Sequence, residues 1–249
     1  MVTAKEIERI IDELAPFETA ESFDNVGILY ESGKETEGIL LALDITVDTV
    51  KEAAERGCGI LVSHHPILFG GISRLRFDDA LAIAVKNEVS LIAAHTNLDK
   101  ARGGVNDTLA ELLGLSLTGD FCDGLGRVGT LSEPMLPADF ALYVKERMGL
   151  GAVLAVVGER MVKTVAVGGG AYDFVLPAYL ANADALVTGE LKHHHALEAK
   201  RLGLTAVAAG HYATENQVVS ALKRYVAAQV RGKAECFESE SGKDPLSVV

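Results

Sequence analysis

Along the chain, short unbroken apolar runs alternate with longer segments whose apolar positions recur at helical spacing, the pattern of strands layered with helices in an α/β fold. Strands are expected at residues 38–44 (GILLALD), 59–64 (GILVSH), 89–95 (VSLIAAH), 151–158 (GAVLAVVG), 163–169 (KTVAVGG), 184–189 (DALVTG) and 204–210 (LTAVAAG). Helices follow most of them. The opening MVTAKEIERIIDELAPF has the spacing of an amphipathic helix with charges throughout, unlike a signal peptide. The stretch 121–137, FCDGLGRVGTLSEPMLP, concentrates glycine and proline and marks the expected junction of two halves. That reading places a first α/β subdomain at 1–124 and a second at 125–249, with the C-terminal segment able to pack back on the first.

The halves echo each other. ILLALDIT, ILVSHHP and LIAAHTNLD are answered by TVAVGGGAYD, ALVTGELKHH and AVAAGHYATE. His95 and Asp99 follow the third strand four residues apart, and His211 and Glu215 repeat that offset. A duplicated strand-and-helix unit explains the echo, although buried strands also resemble one another by composition alone. The expected architecture is therefore two similar α/β subdomains, each three-layered with a mixed sheet, with a site in the crevice between them.

Composition narrows the function. A chain of 249 residues can bury a sizeable core, and a formal net charge of -12 opposes association with phosphate backbones. Nucleic acid is a poor partner. Cys58, Cys122 and Cys236 are scattered and odd in number, against a disulfide framework or a thiolate zinc site. That cysteine usage fits a reducing compartment, so a cytoplasmic protein is expected, and no run reaches membrane-spanning length.

Polar residues gather where the strands end, which is where open α/β sheets bind ligands: His64 with His65, His95 with Asp99, Glu190 with His193 to His195, and His211 with Glu215. Pro66 forces His65 toward extended backbone and ends the ladder at the histidine pair. The two imidazoles then diverge, which suits two metal ions about 3.5 to 4 Å apart, each taking one histidine. Blander roles stay open for each residue. One histidine could be a hydrogen-bonded core residue, and Asp99 a turn residue in the loop before a helix opened by glycines. Thr214 with Gln217 matches a capping box, in which case the helix starts near Glu215 and His211 lies in the preceding loop. On a helix, at most one or two of His193, His194 and His195 face one side.

Six segments, ESFDNVGIL (21–29), LALDIT (41–46), SHHPILF (63–69), HTNLDKARGGVND (95–107), VTGELKHH (187–194) and AGHYATE (209–215), run in order over nearly the whole chain. Together they resemble the Nif-three-like family, whose members are commonly labelled GTP cyclohydrolase 1 type 2 homologues. The resemblance implies a dinuclear metal site with His64, His65, Asp99, His211 and Glu215 as ligands. It also implies a toroidal homohexamer, a trimer of dimers, without the extra domain that some relatives insert between the halves. On that basis Glu215 bridges, one ion taking His65 and Asp99 and the other His64 and His211. Imidazole and carboxylate donors suit zinc, iron, manganese, cobalt or nickel without choosing among them.

Two such ions would activate a water for hydrolysis, with Glu190, His95 and His194 as candidates for proton transfer or for supporting the ligands from behind, each with a purely structural role still open. The resemblance points to a nucleotide as the small-molecule substrate, with attack at C8 of the guanine ring of GTP. No GxxxxGK[ST] sequence accompanies it, and the GGG at 168–170 reads first as a tight turn. The alternative is a metal-binding scaffold ring without turnover.

Overall fold

The computed structural model describes residues 1–248. Within these, contacts divide the chain into two compact units, residues 1–104 with 218–243 and residues 105–217 with 244–248.

The first unit runs α1 (Ala4–Leu14), β1 (Gly27–Tyr30), β2 (Gly38–Ala42), α2 (Val47–Glu55), β3 (Ile60–Ser63), α3 (Ala80–Lys86), β4 (Ser90–Ala93) and α4 (Thr96–Lys100). The second holds α5 (Val105–Leu112), β5 (Ser116–Phe121), β6 (Gly126–Met135), α6 (Pro137–Arg147), β7 (Leu154–Val156), β8 (Val162–Gly168), α7 (Val175–Leu180), β9 (Ala185–Thr188), α8 (His193–Leu202), β10 (Thr205–Ala208) and α9 (His211–Glu215). The chain then returns to the first unit through α10 (Gln217–Gln229) and β11 (Glu235–Glu238).

In the first unit the sheet order is β1-β4-β3-β2-β11, parallel except for the antiparallel edge strand β1. Every residue of β2, β3 and β4 is buried, which is why these strands read as continuous apolar runs: both faces are covered. Leu40, Leu61 and Leu91 pack with Val50 and Ala53 of α2 and Ala84 of α3 on one face. Helix α1 is fixed at its start by a capping box, Thr3 with Glu6, and packs against β1 and β4.

The second sheet, β5-β6-β8-β9-β10-β7, is also mixed. Alternate residues of its central strands enter different cores. Val165, Val187 and Val207 join Leu109 of α5 and Phe140 of α6, whereas Ala166, Leu186 and Ala206 join Val175 of α7 and Ala199 of α8. This unit is a three-layer α/β sandwich. In each unit three successive parallel strands, β2-β3-β4 and β8-β9-β10, step across the sheet to an antiparallel edge strand, β1 and β7 respectively.

The expected junction at 121–137 is corrected. That stretch lies inside the second unit, where β5 and β6 pair antiparallel from Phe121↔Gly126 outward, and Gly124, at φ +89°, serves the turn between them. The first changeover between units falls at Gly104/Val105. Four strands lack a clear sequence signal, β1, β5, β6 and β11. All but β6 are edge strands with few fully buried positions, and β6 carries Gly126, Gly129 and Pro134 within its ten residues.

Candidate metal centre

In the first unit, β3 stops at Ser63, so neither His64 nor His65 is held to the alternation of a strand. Their amides donate instead to the end of β2 and the residue after it, His64 to Ala42 O (3.4 Å) and His65 to Leu43 O (2.9 Å). The rings lie side by side, centroids 4.8 Å apart and tilted by 48°, a smaller divergence than the sequence suggests. His95 precedes α4, with its ring 5.1 Å from His64 and 5.5 Å from His65. One ring nitrogen from each of the three lies within 4.8 Å of the others, close enough to share an ion. Asp99 is on α4 rather than in a loop, and its Oδ1 is 3.7 Å from His64 Nε2.

Each ring is oriented by an acceptor at Nδ1. His64 donates to Ala94 O (2.9 Å), His65 to Asp44 Oδ1 (2.8 Å), and His95 to both oxygens of Asp24 (3.0 Å). A carbonyl or carboxylate oxygen can only accept, so the proton sits on Nδ1 and the lone pair of the neutral ring on Nε2, the arrangement of a metal-ligating histidine. Asp24 also accepts from Thr96 N and Oγ1. Burial alone would raise its pKa, but the hydrogen bonds from His95 and Thr96 outweigh that and hold it well below the usual carboxylate range.

The second unit repeats the device. Gly210, at φ +93°, turns the chain from β10 into the single turn of α9, so His211 and Glu215 lie on one helix face. The expectation of a helix beginning near Glu215 is corrected by four residues. Thr214 does not form a capping box: its hydroxyl donates to Gly210 O and accepts from Gly170 N. His211 Nε2 stands 3.1 Å from Glu215 Oε2, and its Nδ1 donates to Glu190 Oε1 at 2.8 Å. Glu190 thus orients His211. His194 is exposed on the first turn of α8, while its neighbour His195 is buried and reaches Asp173 at 3.2 Å.

The glycines at 169 and 170 make room for the buried Glu215. A Cβ at Gly169 would sit 3.1 Å from Glu215 Cγ, and one at Gly170, which has φ +66°, would overlap Glu215 Oε1. Asn106 Oδ1 holds this turn by accepting from Gly169 N at 2.8 Å.

The donor set fits a cation. Where a neutral Nε2 faces a carboxylate oxygen, as in His211 with Glu215 and His64 with Asp99, two lone pairs confront each other, and a proton or metal ion between them removes the conflict. All the donors are imidazole or carboxylate, which suits borderline divalent ions. Two residues of this environment carry no role in the sequence reading, Asp44 and Asp24. Asp44 lies two residues past the end of β2 and is open to the same strand-end argument as the histidines; Asp24 precedes β1, a strand without a sequence signal.

The chain matches the Duf34/NIF3 (NGG1p interacting factor 3) family over residues 2–245. A protein of Clostridium perfringens named GTP cyclohydrolase 1 type 2 homolog is 32% identical over 259 residues, covering 98% of each chain. A hypothetical protein of Staphylococcus aureus superposes with a TM-score of 0.89 at 29% identity, covering 99% of each chain. A Bacillus cereus protein related to NIF3 reaches a TM-score of 0.91 over 100% of this chain and 99% of its own, and at 22% identity that likeness is one of fold. With the family matched over nearly its whole length, and with the histidine and carboxylate motifs in place at the strand ends, the chain belongs to the Duf34/NIF3 family.

Proposed function

We propose that this chain is a metal-dependent hydrolase with a dinuclear centre whose ligands are His64, His65, Asp99, His211 and Glu215. The observation that carries this reading is the common orientation of the histidines: Nδ1 of His64, His65, His95 and His211 each meets a carbonyl or carboxylate, so every ring presents Nε2. A set of solvated or merely structural histidines has no reason to share one tautomer. Since Asp99 faces His64, we assign these two to one ion, His65 and His211 to the other, and Glu215 to both. When bound, such ions lower the pKa of a coordinated water and polarise the group under attack.

The chain's own residues then have separable tasks. Asp44, Asp24 and Glu190 fix ring orientation, and Gly169 and Gly170 leave the Glu215 carboxylate its place. Exposed His194 remains a candidate proton carrier, and His95 either supports the centre or donates to it. The names of the relatives suggest a nucleotide substrate, GTP foremost, so the assay set is GTP together with a panel of phosphate esters, scored for formate and phosphate.

The test of the assignment is a pair of variants read by metal titration. Glu215→Gln should weaken both sites, whereas Asp99→Asn should weaken one by about 10- to 100-fold and spare the other. A glutamine variant with both sites intact would remove the bridging role. Metal binding without release of formate or phosphate from any substrate would favour the scaffold reading over the hydrolase.

A further inference from the structure

The second unit contains a cavity of about 680 Å³ lined by Glu190 and His211, the chain that enters β7, the end of β10 and residues from the stretch 244–248. Its volume lies in the range of sites for drug-sized molecules. Leu150, Val153, Leu154, Leu246 and Val248 wall it with apolar surface. Three of these are among the most exposed apolar side chains of the chain, Leu154 at 77%, Leu246 at 78% and Val248 at 74%. Apolar area left open to water inside a concave site favours an apolar occupant.

The polar groups of the lining differ in how far they are engaged. Glu190 is held by the His211 Nδ1–H, and Asp244 accepts from Leu246 N in its own turn. Lys192 makes no ion pair among the described residues, and it is the only lysine or arginine in the lining. Glu190 and Asp244 keep their negative charge, so Lys192 is the one place in the lining where an anionic group gains an ion pair, and the apolar walls beside it suit a ligand that pairs a greasy body with that group.

We propose that this cavity binds a small organic anion with a flat aromatic body, its ring against Leu154 and Leu246 and its anionic group at Lys192. The placement of the ligand's reactive end toward His211 rests on the metal-centre reading; the cavity and its lysine do not.

The test uses two probes of nearly equal shape, 2-naphthalenesulfonate and neutral 2-naphthol, titrated calorimetrically into the full chain with metal and after chelation. The sulfonate should bind saturably, one per chain. Lys192→Gln should weaken the sulfonate about ten-fold and leave the naphthol within two-fold. Leu246→Glu, at a position exposed enough to spare folding, should weaken both probes. Absence of saturable binding at millimolar probe, or an unchanged sulfonate affinity in either variant, overturns the proposal. Elemental analysis runs in parallel: if the parent binds the sulfonate with these variant effects yet holds no metal, the metal-centre reading fails while the anion cavity stands.

Discussion

At the level of single residues, the geometry of Gly170 makes a sharp prediction. Its φ of +66° would strain any side chain, and a Cβ there would also displace the Glu215 carboxylate. Gly203 has nearly the same backbone, φ +67°, but a Cβ at that position would meet nothing within 4 Å, and it serves as the control. Alanine at either position should cost about 1 kcal/mol of stability through backbone strain. Only Gly170→Ala should lower metal affinity, by an expected ten-fold or more. Equal metal affinity in the two variants, measured by titration beside thermal melts, would mean that the close approach to Glu215 has no bearing on metal. The histidines and Glu215 are legible in the sequence because imidazoles are rare in this chain and fall at strand ends. The glycine cradle is not: GGG after a strand has the ordinary meaning of a turn, and only the folded chain reveals whose side chain lies against it.

At the level of elements, the parallel strands are readable because burial on both faces gives unbroken apolar runs, as in GILLA and ILVS. The one-turn helices α4 and α9 are not. Five residues are too few to show helical periodicity, so the sequence places Asp99 and His211 in loops. Strand β11 is hidden by its half-exposed composition, yet it completes the first sheet beside β2, and Glu52 on α2 helps to hold the segment that follows it. Glu52 accepts from Ser239 Oγ, Ser241 Oγ and the amides of Glu240 and Ser241. Burial opposes ionisation of this carboxyl, but those hydrogen bonds prevail and lower its pKa from 4.5 to about 2.

Since the folded pKa lies below the unfolded one, the associated stability is present in full above about pH 4.5 and is lost as pH falls toward 2. Glu52→Gln should therefore lower stability at pH 7 by on the order of 2 kcal/mol, with a smaller difference from the parent at pH 3. Urea unfolding at the two pH values measures this. A difference that does not shrink at the lower pH would assign the effect to packing instead of charge.

At the scale of the whole molecule, no helix among the described residues is long and apolar enough to cross a membrane, although 49% of the sequence is hydrophobic and the mean hydropathy is +0.22. Exposed apolar side chains such as Phe77 (89%) and Leu180 (69%) give the surface something to bury. We propose the homohexamer implied by the resemblance, which light scattering after size exclusion would report as a mass near six times 26.3 kDa. A monomer at all concentrations would dismiss it. The claim on which the functional account turns is the dinuclear centre, and elemental analysis tests it most directly. After incubation with excess zinc, manganese and iron under reducing conditions, followed by removal of loosely held ions, the account predicts two divalent ions per chain. A reproducible content of one or fewer would contradict it.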